Sequence, residues 1–573
     1  STELHIPPTV QGTLAARIDR LGGEEKGLLQ TLAVIGKQFS LSLLKEVVEE
    51  PDEELYRLLS HLQGGEFIYE QPAFPEVEYT FKHALTQEVA YNSVLMERRR
   101  VLHGLTAQVI EGLYRDLLEE HYSDLAHHYS RSGNVEKAVE YLKLAGQQAG
   151  QRSANAEAVS HLTAALELLK TLPDTPDRAR KELGLQIALG VPLIATKGHG
   201  VPEVEEAYTR ARELCQQVGE TPQLFPVLFG LWRFYHLRSD LRTTLELAEQ
   251  LMSLAQNVQD PGLLLEAHRA LGATLFFLGE VAQSQAHLER AIAIYDPQQH
   301  RSHAFLYGLD PKVYCLIFLS FALWLLGYPD QALKRVQEAL TLARELSHPR
   351  NLIFALIHVA WLHQLRRERQ LAQERVEAAI TLSTKQGDPN WLAFGTILRG
   401  WALAERGQGE AGFDNAHHRG IAEMCQGLAA RQATGAELIR PYFLALLAEM
   451  YGGIGQAEEG LNTLGEALAA VHKAGERHWE AELYRLRGEL LLKSKVQSVS
   501  EAETCFRHAI DIAQNQSAKS LELRAVTSLS RLWQQQGKKD EARQMLAKVY
   551  GWFTEGFDTV DLKEAKALLE ELS

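Results

Sequence analysis

Small residues recur along this chain at near-constant spacing. Thr244, Ser284, Ala332, Ala372, Gly420, Gly460, Ala502 and Ala542 follow one another at intervals of 40, 48, 40, 48, 40, 42 and 40 residues. Four positions after each stands Ala248, Leu288, Val336, Val376, Met424, Leu464, Phe506 or Leu546, and three further on Leu251, Ala291, Ala339, Ala379, Gly427, Ala467, Ala509 or Val549. Positions i, i+4 and i+7 share one face of a helix. The small residue lets a neighbouring backbone come close, and the two that follow seal the contact. Helix pairs of this kind bury their core only against the next pair, which makes a solenoid with a concave binding wall. The spacing therefore predicts an all-α, right-handed, tetratricopeptide-like superhelix over residues 176–573, and recognition as its work.

Composition narrows the partners. A formal net charge of -15 and a pI near 5.9 disfavour nucleic acid and anionic membrane, both of which select basic surfaces. The four cysteines, Cys215, Cys315, Cys425 and Cys505, stand at least 80 residues apart with no CxxC pair, which fits reduced thiols and a cytoplasmic setting. No secretory leader is expected from the opening residues, and no apolar run of about 18 residues occurs. The chain opens at STELHIPPTV without an initiator Met, as a fragment would.

Residues 1–115 do not follow the beat. Glu24 to Ile35, Leu41 to Val48 and Asp52 to Leu62 read as three short helices, with Ser40 and Asp52 as amino-terminal caps. Phe67 to Glu70 and Val77 to Phe81 are rich in aromatic and branched residues and flank a turn with Pro72 and Pro75, so they predict a hairpin. Three helices and a hairpin make a winged-helix arrangement, and helices over His83–Ser93 and Leu95–Leu113 follow it. A first tetratricopeptide block occupies 116–175. Its Leu125, Ala126, Tyr129, Ala138, Leu142 and Ala145 fill the large, small, aromatic, small, bulky and small positions of that repeat, and Gly133-Asn134 breaks the helix between them. Gly190, Ala207 and Ala211 lead into the array past a longer loop at Lys197 to Pro202. The two 48-residue intervals hold insertions. One is YDPQQHRSHAFLYGLDP, Tyr295 to Pro311; the other, GFDNAHHRG at 412–420, displaces the helix expected after Gly409, the alternative being a local length variant.

The chemistry-bearing motifs are sparse. No GxxxxGK[ST] phosphate loop occurs. Gly407, Gly409 and Gly412 spell GxGxxG but follow a helical pattern rather than a strand, so a repeat turn is expected. His127-His128 and His417-His418, with Asp414 near the second pair, point about 100° apart if helical and make poor metal ligands. Neither a cofactor nor a metal is expected, and no nucleophile and base are tied by a local motif. The third helix of the amino-terminal domain begins Asp52-Glu53-Glu54 and carries Arg57 alone as a cation, so phosphate repulsion opposes a DNA role. Arg98-Arg99-Arg100 reads as a solvated or salt-bridged face. If Gly272, Ser320, Ala360 and Gly400 are the small residues of the first helices, Arg269, Phe276, Tyr314, Phe321, Trp324, Trp361, Gln364 and Trp401 face the concave wall. With His300, Arg301, Tyr307 and Asp310 of the first insertion, they are the candidate ligand-binding residues, since aromatic rings and a few polar groups suit a protein segment or small effector. The alternative for aromatics at helical spacing is a core between helices.

Longer stretches carry a resemblance. Ile6 to Leu21, Leu28 to Ser40 and Tyr79 to Leu95 resemble the segment after the nucleotide-binding module of bacterial STAND-type signalling ATPases. The similarity is strongest to proteins that join a class III adenylate/guanylate cyclase domain, an AAA-like ATPase and a tetratricopeptide tail. It continues through Tyr295 to Pro311, Leu323 to Leu333 and Leu532 to Leu572, with GFDNAHHRG as an insertion. The resemblance implies a non-catalytic sensor and interaction region whose partners are a protein or small effector in the groove and the upstream nucleotide-binding domain of its own polypeptide. Two readings from other classes stand beside it: a DNA-binding regulator using the winged helix, and an unrecognised enzyme with a site at the 295–311 loop.

Overall fold

The computed structural model describes residues 8–48, 50–72, 76–198, 200–219, 222–405, 413–494 and 498–573. These form 30 α-helices and one three-stranded sheet, an all-α solenoid architecture, in two compact units, Ser1–Arg178 and Ala179–Ser573. Pro75 and the Gly407, Gly409 and Gly412 motif lie outside the described residues.

In the first unit, helices Gly23–Ile35, Leu41–Val47 and Asp52–Gly64 bury Leu29, Leu32, Leu44, Leu55, Leu59 and Leu62 in one core. Strands β1 (Gln38–Ser40), β2 (Ile68–Gln71) and β3 (Glu78–Phe81) make an antiparallel sheet in the order β1-β3-β2. The hairpin follows from the alternation of Tyr79 and Phe81; β1 is an addition, because a three-residue strand between two helices leaves no periodic trace. Ser40 caps the second of these helices, its Oγ accepting from the Leu43 amide at 3.2 Å. Asp52 does not cap. Pro51 holds that position, and the Asp52 carboxylate pairs with Lys45 at 2.7 Å. Leu125, Ala126, Tyr129, Ala138, Leu142 and Ala145 are all buried where helices Tyr122–Ser132 and Val135–Gln151 pack together. Gly133 turns the chain between them at φ 84°.

The second unit repeats one theme. The first helix of each pair is buried on nearly every side, as in Pro311–Leu325 and Pro349–Leu365; the second, as in Pro329–Glu345 and Arg369–Gln386, buries one stripe. That stripe is the beat. All three of its positions are buried in all eight repeats. Asp260, Asp310 and Asp388 cap first helices through their side chains, each followed by a proline at the first helical position. Helix Phe413–Ala433 runs straight through most of GFDNAHHRG, so from 413 onward that stretch is the start of a second helix and not an insertion that displaces one. There Gly400 and Gly420 cross with their backbones in contact: a Cβ on Gly420 would lie 2.4 Å from the Gly400 oxygen.

A second set of contacts joins distant repeats. The Leu237 carbonyl accepts from the Glu437 and Leu438 amides at 2.9 and 3.0 Å, and the Phe277 carbonyl from the Arg477 and His478 amides at 2.8 and 3.3 Å. Ser520 Oγ donates to the Trp324 carbonyl, and Arg524 Nη2 to the Leu365 carbonyl at 2.7 Å. Each acceptor closes a first helix; each donor lies at or near the start of one about five repeats further along. Helix ends carry orphan carbonyls and partial negative charge, and helix starts the reverse. The superhelix thus closes one turn upon the next.

Candidate functional site

The closure decides what the concave wall can do. Phe276, Phe321 and Trp324 do not line open space; Phe276 and Trp324 are buried against rings from the facing turn, and Phe321 among Phe276, Phe318, His358 and Trp361 of its own turn. Phe276 meets His478 at 5.1 Å between centroids, Trp361 meets Tyr442 at 5.0 Å, and Trp324 meets Trp479 at 6.0 Å. These side chains form a ring-packed axis, with Phe321 tilted by 43° against Trp361 at 4.4 Å. The alternative of an interhelical core applies to them.

Two spaces interrupt that axis. The larger, about 240 Å³, is an open groove with Gln364, Arg367, Trp401, Glu405, Glu449, Glu482, Arg485, Arg524, Asp561 and Glu564 around it. Of the expected residues, Gln364 and Trp401 reach it. The Gln364 side-chain oxygen accepts from the Tyr442 hydroxyl, and Trp401 is buried. The remaining floor is a charge ladder that the sequence reading missed. Arg485 grips Glu482 through two hydrogen bonds of 2.8 Å, and Arg524 bonds Asp561 at 2.8 Å while reaching Glu482 at 3.4 Å. Arg367 and Arg531 share Glu564 at 2.8 and 2.9 Å. The two arginines beside Glu482 hold its carboxyl below the ordinary range against its burial.

Glu405 and Glu449 stand outside the ladder. Among the described residues neither forms an ion pair. Glu449 meets solvent on one face, yet the groove walls crowd it on the others. That desolvation first, and the Glu405 charge next, push its carboxyl up to about 7.

The smaller space, about 60 Å³, lies between helices Leu224–Leu237, Pro261–Phe277, Pro311–Leu325, Pro349–Leu365 and Pro389–Ala404. Arg269, Tyr314 and Trp361 of the expected set line it, together with Arg233, His236 and Arg431. Arg269 donates to Glu266 at 3.0 Å and to the Leu309 carbonyl at 3.2 Å, and lies 4.3 Å from the Tyr314 ring centre.

The first insertion braces this cavity. Two short helices, Pro297–His300 and His303–Tyr307, fold it back. His303 pairs with Glu266 at 2.9 Å, and Tyr307 packs on Phe229 at 4.7 Å. Asp310 accepts from the Tyr295 hydroxyl at 2.9 Å and from two helix amides at 3.0 Å. His300 Nδ1 accepts from the Asp296 amide at 2.9 Å. Only Arg301 of the candidates here lies exposed, beside Tyr295, Asp296, Pro297 and Gln298 at a shallow surface depression. Gly308 explains how the segment fits. It sits at φ 83°, and a Cβ there would lie 2.1 Å from Arg233 Nη1.

Elsewhere, His128 is buried and its Nδ1 lies 2.9 Å from that of His103, while His417 Nε2 lies 2.9 Å from the Met450 carbonyl. No group of three or more metal-ligating side chains is found among the described residues. No helix of the described residues is long and apolar enough to cross a membrane.

The geometry is that of a tetratricopeptide-like solenoid with a charged groove. The tetratricopeptide repeat family matches residues 265–290, and the anaphase-promoting complex subunit 5 family matches residues 279–369 and 347–399. An uncharacterised protein of Rhizobium meliloti (strain 1021) is 27% identical over 541 residues, covering 91% of this chain and 50% of that protein. The chain thus spans about half the length of this curated relative. Among solved structures, a Rap protein complexed with Competence and Sporulation Factor is similar with a TM-score of 0.49 at 12% identity, over 66% of this chain and 98% of that one. A signal transduction ATPase with numerous domains and a tetratricopeptide repeat sensor, from Pyrococcus horikoshii, is similar with a TM-score of 0.29 at 13% identity, over 97% and 65%.

Proposed function

We propose that this chain is the non-catalytic sensor and interaction arm of a larger bacterial signal-transduction protein, and that its groove takes a protein segment bearing a cationic side chain. A tetratricopeptide-like solenoid supports an interaction or sensor role in general. The observation that carries the finer reading is the pair Glu405 and Glu449, which have no arginine of their own beside a ladder in which every other charge is matched. A guanidinium or ammonium group brought by a partner completes the set. We place 1–115 as a winged helix with connecting helices that docks on an upstream nucleotide-binding domain, 116–175 as a first repeat block, and 176–573 as the sensor. A parent with ATPase and adenylate/guanylate cyclase domains, in the cytoplasm of a bacterium, belongs to the same proposal, as does the absence of cofactor chemistry from these residues. DNA binding is not favoured, because the Arg57 guanidinium is already hydrogen-bonded to Glu54 at 2.9 Å and to Glu24 at 3.1 Å.

The test is fluorescence anisotropy with labelled short peptides carrying one arginine, against the same peptides carrying citrulline. Arginine peptides should bind, and the double change Glu405→Gln with Glu449→Gln should weaken them about tenfold or more, as expected when a charge-assisted hydrogen bond of about 1.5–3 kcal/mol is lost. Equal binding of both peptide sets sinks the reading.

A further inference from the structure

Inside the superhelix, four arginines are buried within one neighbourhood: Arg233, Arg269, Arg350 and Arg431. Two have carboxylate partners, Arg269 with Glu266 at 3.0 Å and Arg350 with Asp388 at 4.0 Å. The other two do not. Among the described residues, Arg233 Nη1 donates to the Tyr307 carbonyl at 3.2 Å, and Arg431 Nη1 to the carbonyls of Ala436 and Leu438 at 3.2 and 2.7 Å, with no ion pair for either. Both line the 60 Å³ cavity, and so does His236, 3% exposed, whose two ring nitrogens have no hydrogen-bond partner. Arg431 Nε is buried without a partner as well.

A buried guanidinium without a counter-charge is costly, and so is an orphaned buried imidazole. Burial pulls Arg233 down to about 9, with Arg350 adding to the effect, and pulls Arg431 down to about 10 against the more distant charges of Glu476 and Glu437. Arg269, already paired with Glu266, and Tyr314 and His358 also line it, and the rest of the wall is apolar, with Trp232, Phe318, Phe354, Trp391, Phe394 and Ile439 among it. A water occupies about 10–15 Å³ on the same measure, so the space admits a guest of about four to six heavy atoms.

We propose that this cavity is a binding site for a short-chain organic carboxylate, its anionic end on Arg233 and Arg431 with His236 in reach, and its alkyl end against the rings. A planar carboxylate matches a guanidinium fork, and an apolar tail of a few carbons matches such walls. This site is separate from the groove, so its failure leaves the peptide reading intact.

Isobutyrate is the probe, with isobutyramide as its neutral counterpart of the same shape and inorganic phosphate as a tetrahedral competitor. The full chain is titrated while Trp fluorescence and the thermal midpoint are followed, since Trp232, Trp361 and Trp391 all face the cavity. Isobutyrate should raise Tm progressively with concentration and shift the fluorescence, whereas isobutyramide and phosphate should not. Arg431→Gln and Arg233→Gln, checked for a wild-type circular dichroism spectrum, should each weaken the isobutyrate response at least tenfold. If either variant fails to fold, the contrast between isobutyrate and isobutyramide on the wild-type chain decides alone. The proposal is overturned if folded wild-type chain does not respond to isobutyrate, if the amide or phosphate does as well, or if folded Arg431→Gln responds as wild type does.

Discussion

Single side chains in this molecule carry opposite assignments depending on which side of the superhelical closure they fall. Trp361 and Trp401 look alike in sequence, each on a first helix and each buried, yet one faces the arginine cavity and the other the carboxylate groove. Replacing Trp361 with Ala should cost about 3–5 kcal/mol, as truncation of a buried aromatic does, and urea unfolding would read it. A loss under about 1 kcal/mol would show that the ring is not packed core. Glu449 makes a different kind of prediction. Its carboxyl is raised to about 7, so it is largely neutral below that pH and anionic above it. Affinity for an arginine peptide should therefore climb as pH rises through 7, and Glu449→Gln should flatten that climb. A pH-independent affinity in the wild-type chain would remove Glu449 from the contact.

At the level of helices, the beat was legible because it answers to one local requirement, a small residue at a close crossing, with no need to know the partner helix. Ala372 is 1% exposed at such a crossing. Ala372→Arg should destabilise the chain by about 3 kcal/mol or more through overpacking and an unpaired buried charge; a melting curve like that of wild type would put the register in error. The amino-terminal hairpin was legible for a similar reason. The Arg233, His236 and Arg431 cavity was not. Its signal is present in LWRFYHLR, 231–238, where an Arg and a His interrupt an apolar helix, but a lone cation in such a run more often snorkels than faces inward. What turns Arg233 inward is the Tyr307 carbonyl, brought by an insertion 74 residues away. The charge ladder escaped notice likewise, since Arg367, Glu482, Arg524 and Glu564 belong to separate repeats that only the closed turn assembles. The GFDNAHHRG stretch misled in the other direction, because an extra turn at a helix start looks in sequence like a displaced helix.

Over the whole second unit, the closed turn sets both the pH response and the cooperativity. His236, His358 and His478 are buried, and burial holds each near 3 against an ordinary 6.5. Their folded-state values are depressed, so the stability that they contribute is complete above pH 6.5 and is lost as pH falls toward 3. Glu476 acts oppositely. It lies at the turn-to-turn contact, accepting from Ser239 and from the Ile439 amide, and burial raises it to about 7 from 4.5. Its contribution is complete below 4.5 and lost as pH rises through 7. The three histidines outweigh Glu476 and the likewise raised Glu449, so thermal stability should drop on the acid side of 6.5. His478→Phe should shallow that acid limb, and Glu476→Gln should steepen it between 7 and 4.5, because the opposing gain that Glu476 makes on acidification is lost; melting curves across that range check both, and unchanged limbs would show that these groups do not set them. An ordinary repeat array, tied only to its nearest neighbours, can be pulled apart one unit at a time. Here the carbonyls of Leu237, Phe277, Trp324 and Leu365 are stitched to residues a full coil later, so a chain stretched by its two ends should hold like a welded spring and then give way in one long extension rather than in a sawtooth of single-repeat steps.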